Sequence, residues 1–201
     1  MIRIQPGQHV TIVGQNGTGK SWMGERAFAL AWPRGIIIDH KHESTCRGYQ
    51  IARGIKQFDQ LWPEVPRVIF RPTFRAPAEE IDLVLSRAFY HGNTGVLVHE
   101  AMQLCDARTI PPGYQRALTM GRLRRVSIVS CTQRPMHVHN TVFSESKHFF
   151  VFFLLLEGDR KKISGFAGPT AAGVPGQEYG FFYYGPSMTD AVEMPPLRLA
   201  A

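Results

Sequence analysis

Short apolar runs alternate with segments of helical periodicity along this chain, and their order predicts its fold. Residues 9–13 are a β-branched apolar run of strand length, and residues 35–39 form a second that ends in the carboxylate of Asp39. Further strands are expected at residues 68–70, 95–100, 126–131, 149–156 and 179–184, the last in a closing hairpin. Ile2 and Ile4 alternate with polar residues before Pro6-Gly7, which predicts a small opening hairpin. Between the strands lie helical patterns. Met23, Ala27, Leu30 and Ala31 share one face of a helix that must stop before Pro33, because a residue preceding proline is pushed out of helical geometry. Ile55, Phe58, Leu61 and Trp62 share another face. The clearest helix starts at Pro77, carries Glu79, Glu80 and Asp82 early, buries Ile81, Leu85, Ala88 and Phe89, and ends at Gly92. Residues 113–124 predict a helix, and residues 158–163 a polar helix or turn. Strands alternating with helices predict an α/β fold: a mostly parallel central sheet with helices on both faces.

With 201 residues, 44% of them hydrophobic, one well-buried domain over residues 1–201 is expected. A net charge of +7 makes an acidic polymer a natural partner. Cys46, Cys105 and Cys131 lie far apart, so neither a disulfide framework nor a zinc site is indicated. No apolar run reaches membrane-spanning length, and residues 1–6 lack the apolar core of a signal peptide. A soluble intracellular protein is the resulting expectation.

The chemistry centres on Gly14-Gln15-Asn16-Gly17-Thr18-Gly19-Lys20-Ser21, which reads GxxxxGKS between a strand and a helix. Glycines let such a loop curl until successive backbone N–H groups point at phosphate oxygens, and the following helix adds its positive end. Lys20 would reach the β- and γ-phosphates of ATP and the Ser21 hydroxyl would ligate Mg²⁺. Hydrolysis also needs a group that orients or deprotonates water. Glu100, at the end of an apolar strand, is the candidate base; its alternative is to cap the next helix. The preceding residue, where a Walker B segment carries Asp, is His99. A neutral imidazole cannot replace that charge; it could bond a metal-bound water or Ser21, or leave Mg²⁺ to Ser21 and the phosphates. Gln133, past the next strand, carries an amide able to touch γ-phosphate and water. Arg122, Arg124 and Arg125 crowd a helix end, where the dipole favours cations; one of them could also reach a neighbouring subunit's γ-phosphate.

Gly14 to Ser21, Asp39-His40-Lys41-His42-Glu43, Leu97-Val98-His99-Glu100-Ala101 and Arg122 followed by Ser130-Cys131-Thr132-Gln133-Arg134-Pro135 together resemble the FtsK/HerA superfamily of DNA-pumping ATPases. In its small size the chain is most similar to the genome-packaging ATPases of tailless, membrane-containing viruses. The resemblance covers about residues 5–165. It implies a RecA-like ASCE core, ATP and Mg²⁺ between subunits of a hexameric ring, and double-stranded DNA threaded through the centre. Lys20 and Ser21 then hold phosphate and metal, Glu100 is the base, Gln133 the γ-phosphate sensor and Arg122 the finger acting in trans. Arg125 stands at a position that is often glycine in the family. The implied function is packaging of a viral genome into a preformed capsid, with a capsid or membrane vertex protein as a further partner, in the host cytoplasm or on the virion. Such a motor grips phosphates rather than bases. The loop cations Arg71 and Arg75, and Arg160, Lys161 and Lys162, are the DNA-contact candidates. A small-molecule kinase and a weakly hydrolysing scaffold ATPase are the competing readings.

Overall fold

The computed structural model describes residues 2–197, apart from the Leu30 side chain. Among these residues nine strands form: β1 (His9–Val13), β2 (Gly35–Ile38), β3 (Gln50–Arg53), β4 (Arg67–Arg71), β5 (Gly95–Val98), β6 (Ser127–Thr132), β7 (Ser146–Val151), β8 (Phe181–Tyr184) and β9 (Val192–Met194). They make one sheet in the order β3-β4-β2-β5-β6-β1-β7-β8-β9. Every pairing from β3 to β7 is parallel; β8 and β9 add an antiparallel hairpin at the edge. The helices are α1 (Lys20–Met23), α2 (Gly54–Leu61), α3 (Pro77–His91), α4 (Pro112–Met120), α5 (Asn140–Ser144) and α6 (Glu157–Ala167).

Both faces of the sheet are covered, which is why its central strands are apolar throughout. Ile36, Ile38, Val96, Val98 and Ile128 point into one core with Phe58 of α2, Leu85 of α3 and Tyr114 of α4. Ile37, Leu97 and Val129, their chain neighbours, point into the opposite core with Met23 and Phe28 of the helical segment after the glycine loop. Each such aliphatic, almost wholly removed from water, contributes about 1.5–3 kcal/mol relative to exposure. No helix among the described residues is long and apolar enough to cross a membrane.

Several segments depart from the sequence pattern, each for a visible reason. The opening turn forms, with the Gln8 N–H donating to Gln5 O at 3.0 Å, but Ile2 and Ile4 form no hairpin strand. Both edges of β1 are already paired, to β6 and β7, so the two isoleucines pack on the core instead. The apolar run at residues 149–156 leaves the sheet at Val151 and crosses the glycine loop. There Phe152 N–H donates to Val13 O and Phe153 O accepts from Gln15 N–H, both at 2.8 Å. The edge strand β3 buries only Ala52 completely, so it carries little hydrophobic signal. The expected helix at residues 113–124 ends at Met120 and tightens into a 3₁₀ turn over Gly121–Arg124. The segment after the glycine loop stays helical to Ala31, and Trp32 is extended before Pro33. Within it the α-helical α1 widens to a π-helix over Gly24–Phe28. Of the face expected there, Met23 is buried, Ala27 packs partly on the core and Ala31, in the closing 3₁₀ turn, is exposed, while the Leu30 side chain lies outside the described residues.

Candidate nucleotide site

The loop of residues 14–19 leaves the C-terminal end of β1 and enters α1 with Gly19 left-handed, φ +100°, at the N-cap. Gly14 is required by space as well as by its φ of +156°. A Cβ there would lie 2.6 Å from Phe152 Cβ and 2.8 Å from Thr18 Oγ1. The Thr18 hydroxyl donates to Gln15 O at 2.8 Å, and the Lys20 ammonium donates to the same carbonyl at 2.7 Å. Lys20 is 6% exposed; burial pulls its pKa below the ordinary lysine range, while the Glu100 charge acts in the opposite sense. Its single carbonyl partner leaves donors free for an anion.

Three neighbouring strands end around this loop. Because β6 lies between β1 and β5, the ends of β1 and β5 stand two strand spacings apart, about 10 Å. Across that interval the Lys20 and Glu100 charges act on one another. Glu100 is 5% exposed, and burial pushes its carboxyl above the ordinary glutamate range, opposed by the Thr132 hydroxyl and Lys20. It occupies the N-cap position of the 3₁₀ turn Ala101–Gln103, yet its side chain makes no capping hydrogen bond. Gln133 follows β6 and lines the same cavity of about 370 Å³ as Lys20, Ser21, Asp39 and His99. Asp39, past β2, accepts from the Glu43 and Ser44 N–H groups and from Arg71 Nε at 3.0 Å, which folds the following loop over the cavity.

The pattern of the sequence did not single out Glu25, which also lines this cavity. His99 Nε2 lies 3.0 Å from Glu25 Oε1. Burial pushes the Glu25 carboxyl up, but His99 and Ser44 outweigh it and hold its pKa below the ordinary value. Lys41 and Ser44 line the cavity too. Among the described residues, the buried polar side-chain atoms without a hydrogen-bond partner are Ser44 Oγ, His99 Nε2 and Glu100 Oε1. All three follow the ends of β2 and β5, beside the glycine loop. Buried groups of this kind are normally satisfied by water, an ion or a ligand.

The cations are distributed differently from the expectation. Arg122 is exposed at the opposite end of β6, about 20 Å from the glycine loop by strand length, on a separate cavity of about 660 Å³. Arg124 is docked on the Phe89 and Tyr90 carbonyls and the Phe89 ring. Arg125 is exposed and left-handed, φ +56°, a conformation that favours glycine. Arg71 is not a free loop cation: its guanidinium is held by Asp39 and Ser44 O, so it braces the site. Arg75 is exposed. Arg160, Lys161 and Lys162 sit in α6 rather than a loop. Arg160 donates to Leu154 O and Leu155 O and Lys162 to Val138 O, which leaves Lys161 as the exposed cation of the three.

No protein-family model matches the chain. In sequence it is 26% identical over 166 residues to the DNA packaging ATPase P9 of Enterobacteria phage PRD1, an alignment covering 79% of this chain and 70% of that one. In fold it is similar to the genome packaging NTPase B204 of Sulfolobus turreted icosahedral virus 2, solved in complex with AMPPCP. The TM-score is 0.78 at 19% identity, over 96% of this chain and 100% of B204. ATPases 2 and 3 of EssC from Geobacillus thermodenitrificans share the fold more loosely, with a TM-score of 0.56 at 12% identity over 92% of this chain and 38% of theirs. The chain is a homologue of the phage PRD1 packaging ATPase and carries the P-loop fold of the B204 packaging NTPase.

Proposed function

We propose that this chain is an ATP-hydrolysing motor that moves double-stranded DNA into a viral capsid, acting as a single ATPase domain within a homo-oligomeric ring. The observation that carries the reading is Glu100, held buried and partly unpartnered two strands from the glycine loop, in a chain homologous to a DNA packaging ATPase. Lys20 exchanges its bond to Gln15 O for the β- and γ-phosphates of ATP, which the backbone N–H groups of residues 15–20 surround. Glu100 takes a proton from the attacking water, and burial, by raising its pKa, makes it the stronger base. Gln133 holds that water against the γ-phosphate. The unpartnered Ser44 and His99 atoms make the cavity fit a hydrated Mg²⁺, with Ser21 as direct ligand and His99 acting through water. When bound, that ion neutralises charge on the β- and γ-oxygens.

Arg122 cannot serve its own site from the far end of β6, so it serves a neighbour's. Leu123 beside it is 87% exposed and offers that neighbour an apolar contact. A hexamer is the ring expected, with a capsid or vertex protein as its docking partner. Arg75 and Lys161 are the free cations among the DNA-contact candidates. The deciding experiment is ATPase rate against protein concentration with and without double-stranded DNA. A rate per subunit that rises with concentration and again with DNA is expected. Phosphoryl transfer to an added nucleoside, with no response to DNA, overturns the reading in favour of a kinase.

A further inference from the structure

The position that would carry the metal-side acid at the end of β5 is a histidine, and the carboxylate it contacts comes from another element. Gly24 lets the segment after α1 press against β5: a Cβ there would lie 2.9 Å from Leu97 Cδ1. Two residues beyond Leu97 is His99, and the residue after Gly24 is Glu25. The close approach therefore delivers Glu25 to His99, with 3.0 Å between Oε1 and Nε2. Ser21 and Glu25 are four residues apart, so they share a helix face, and both line the cavity. The π-helix begins at Gly24; such widened turns recur at functional sites. Ser44 and His99 both act on this carboxylate, and their polar atoms are buried. Among the described residues no group of three or more His, Cys, Asp or Glu side chains could hold a metal unaided. A divalent ion here needs the nucleotide's phosphates, and one well-placed carboxylate beside Ser21 suits that arrangement.

We propose that Glu25, presented by the P-loop helix, is the carboxylate on the metal side of the nucleotide, replacing the acid absent from position 99, and that His99 is the positioning residue that holds it. The proposal rests on the ATP–Mg²⁺ reading above. It is tested without turnover, by electron paramagnetic resonance of Mn²⁺ bound with the non-hydrolysable analogue AMPPCP. Glu25→Gln is expected to raise the Mn²⁺ Kd about tenfold or more, the scale of losing a residue that tunes a metal site. AMPPCP affinity in excess EDTA stays near that of the wild type, which shows the variant folded. Adding His99→Asp to Glu25→Gln restores Mn²⁺ binding by returning an acid to the end of β5. His99→Ala gives a smaller loss, and His99→Gln, whose amide can donate to Glu25, recovers it. Wild-type Mn²⁺ affinity in Glu25→Gln overturns the proposal, as does a double variant that regains nothing. Failure of the wild-type chain to bind AMPPCP at all, with or without metal, overturns the nucleotide reading and this proposal with it.

Discussion

Replacing His9 by asparagine is expected to remove about 3 kcal/mol of acid sensitivity from the fold. His9 begins β1 and is 3% exposed, with both ring nitrogens engaged. Nε2 donates to Leu118 O at 2.8 Å and Nδ1 accepts from Ile128 N–H at 3.0 Å. The pair fixes the neutral imidazole, because a proton on Nδ1 would face the Ile128 N–H. Burial accordingly lowers the pKa from 6.5 to about 4, against the Leu118 hydrogen bond. As pH falls below 6.5 the unfolded chain binds a proton that the folded chain refuses until about pH 4. Stability is therefore complete above 6.5 and declines through this window. The gap of about 2.5 pH units corresponds to about 3 kcal/mol. His9→Asn keeps an acceptor for Ile128 but leaves Leu118 O unpaired, which costs about 1–3 kcal/mol at every pH. Only the slope with pH separates the two effects. Urea unfolding of both proteins between pH 4 and pH 8 measures it, and groups common to both, such as Glu100 and His148, cancel in the difference. A constant difference across that range refutes the reasoning. His9 also ties β1 to α4 and to the start of β6, the two ends of the turn that carries Arg122.

Glu100→Gln should bind ATP and lose turnover by about 10²–10⁴-fold, as expected for loss of a general base; undiminished hydrolysis sinks the assignment. In the wild type the acid limb of kcat should lie above the ordinary glutamate pKa of 4.5, because burial raises the Glu100 carboxyl, and activity should fall as pH drops through it. Arg122→Ala should lower turnover by about 10³-fold, in the range of a lost arginine finger. Mixing it with Glu100→Gln should restore activity, since one of the two mixed interfaces pairs an intact Glu100 with an intact Arg122; no recovery on mixing argues against action in trans. Gly14→Ala places a methyl 2.6 Å from Phe152 Cβ at positive φ, so a loss of about 1–3 kcal/mol by thermal melt is expected together with weaker nucleotide binding.

The parallel core was legible because its strands are buried on both faces. A run such as Ile36-Ile37-Ile38 must feed two cores, and no other packing explains three β-branched residues in succession. The helix at Pro77–His91 was legible from its terminal chemistry. What escaped was structure decided by neighbours. Ile2 and Ile4 have the alternation of a strand, but pairing needs a free edge, and β1 has none. β3 has a free edge and pairs, with almost no hydrophobic pattern to announce it.

The site divides along the same line. Lys20, Ser21, Glu100 and Gln133 stood out as candidates because each lies at the start of the helix after the glycine loop or just past a strand end, and in a parallel sheet those ends converge at one edge. Glu25 has no such marker: a glutamate on an amphipathic helix ordinarily belongs to its solvated face. Two facts redirect it, Gly24 permitting contact with Leu97 and His99 standing where the carboxylate is missing, and neither has meaning until the helix is laid against β5. The absent acid at position 99 and the inward-facing acid at position 25 are thus one feature seen from two elements. A carboxylate carried by the helix that follows the phosphate loop is fixed relative to the phosphates themselves. One carried by β5 would instead follow the strand that holds Glu100.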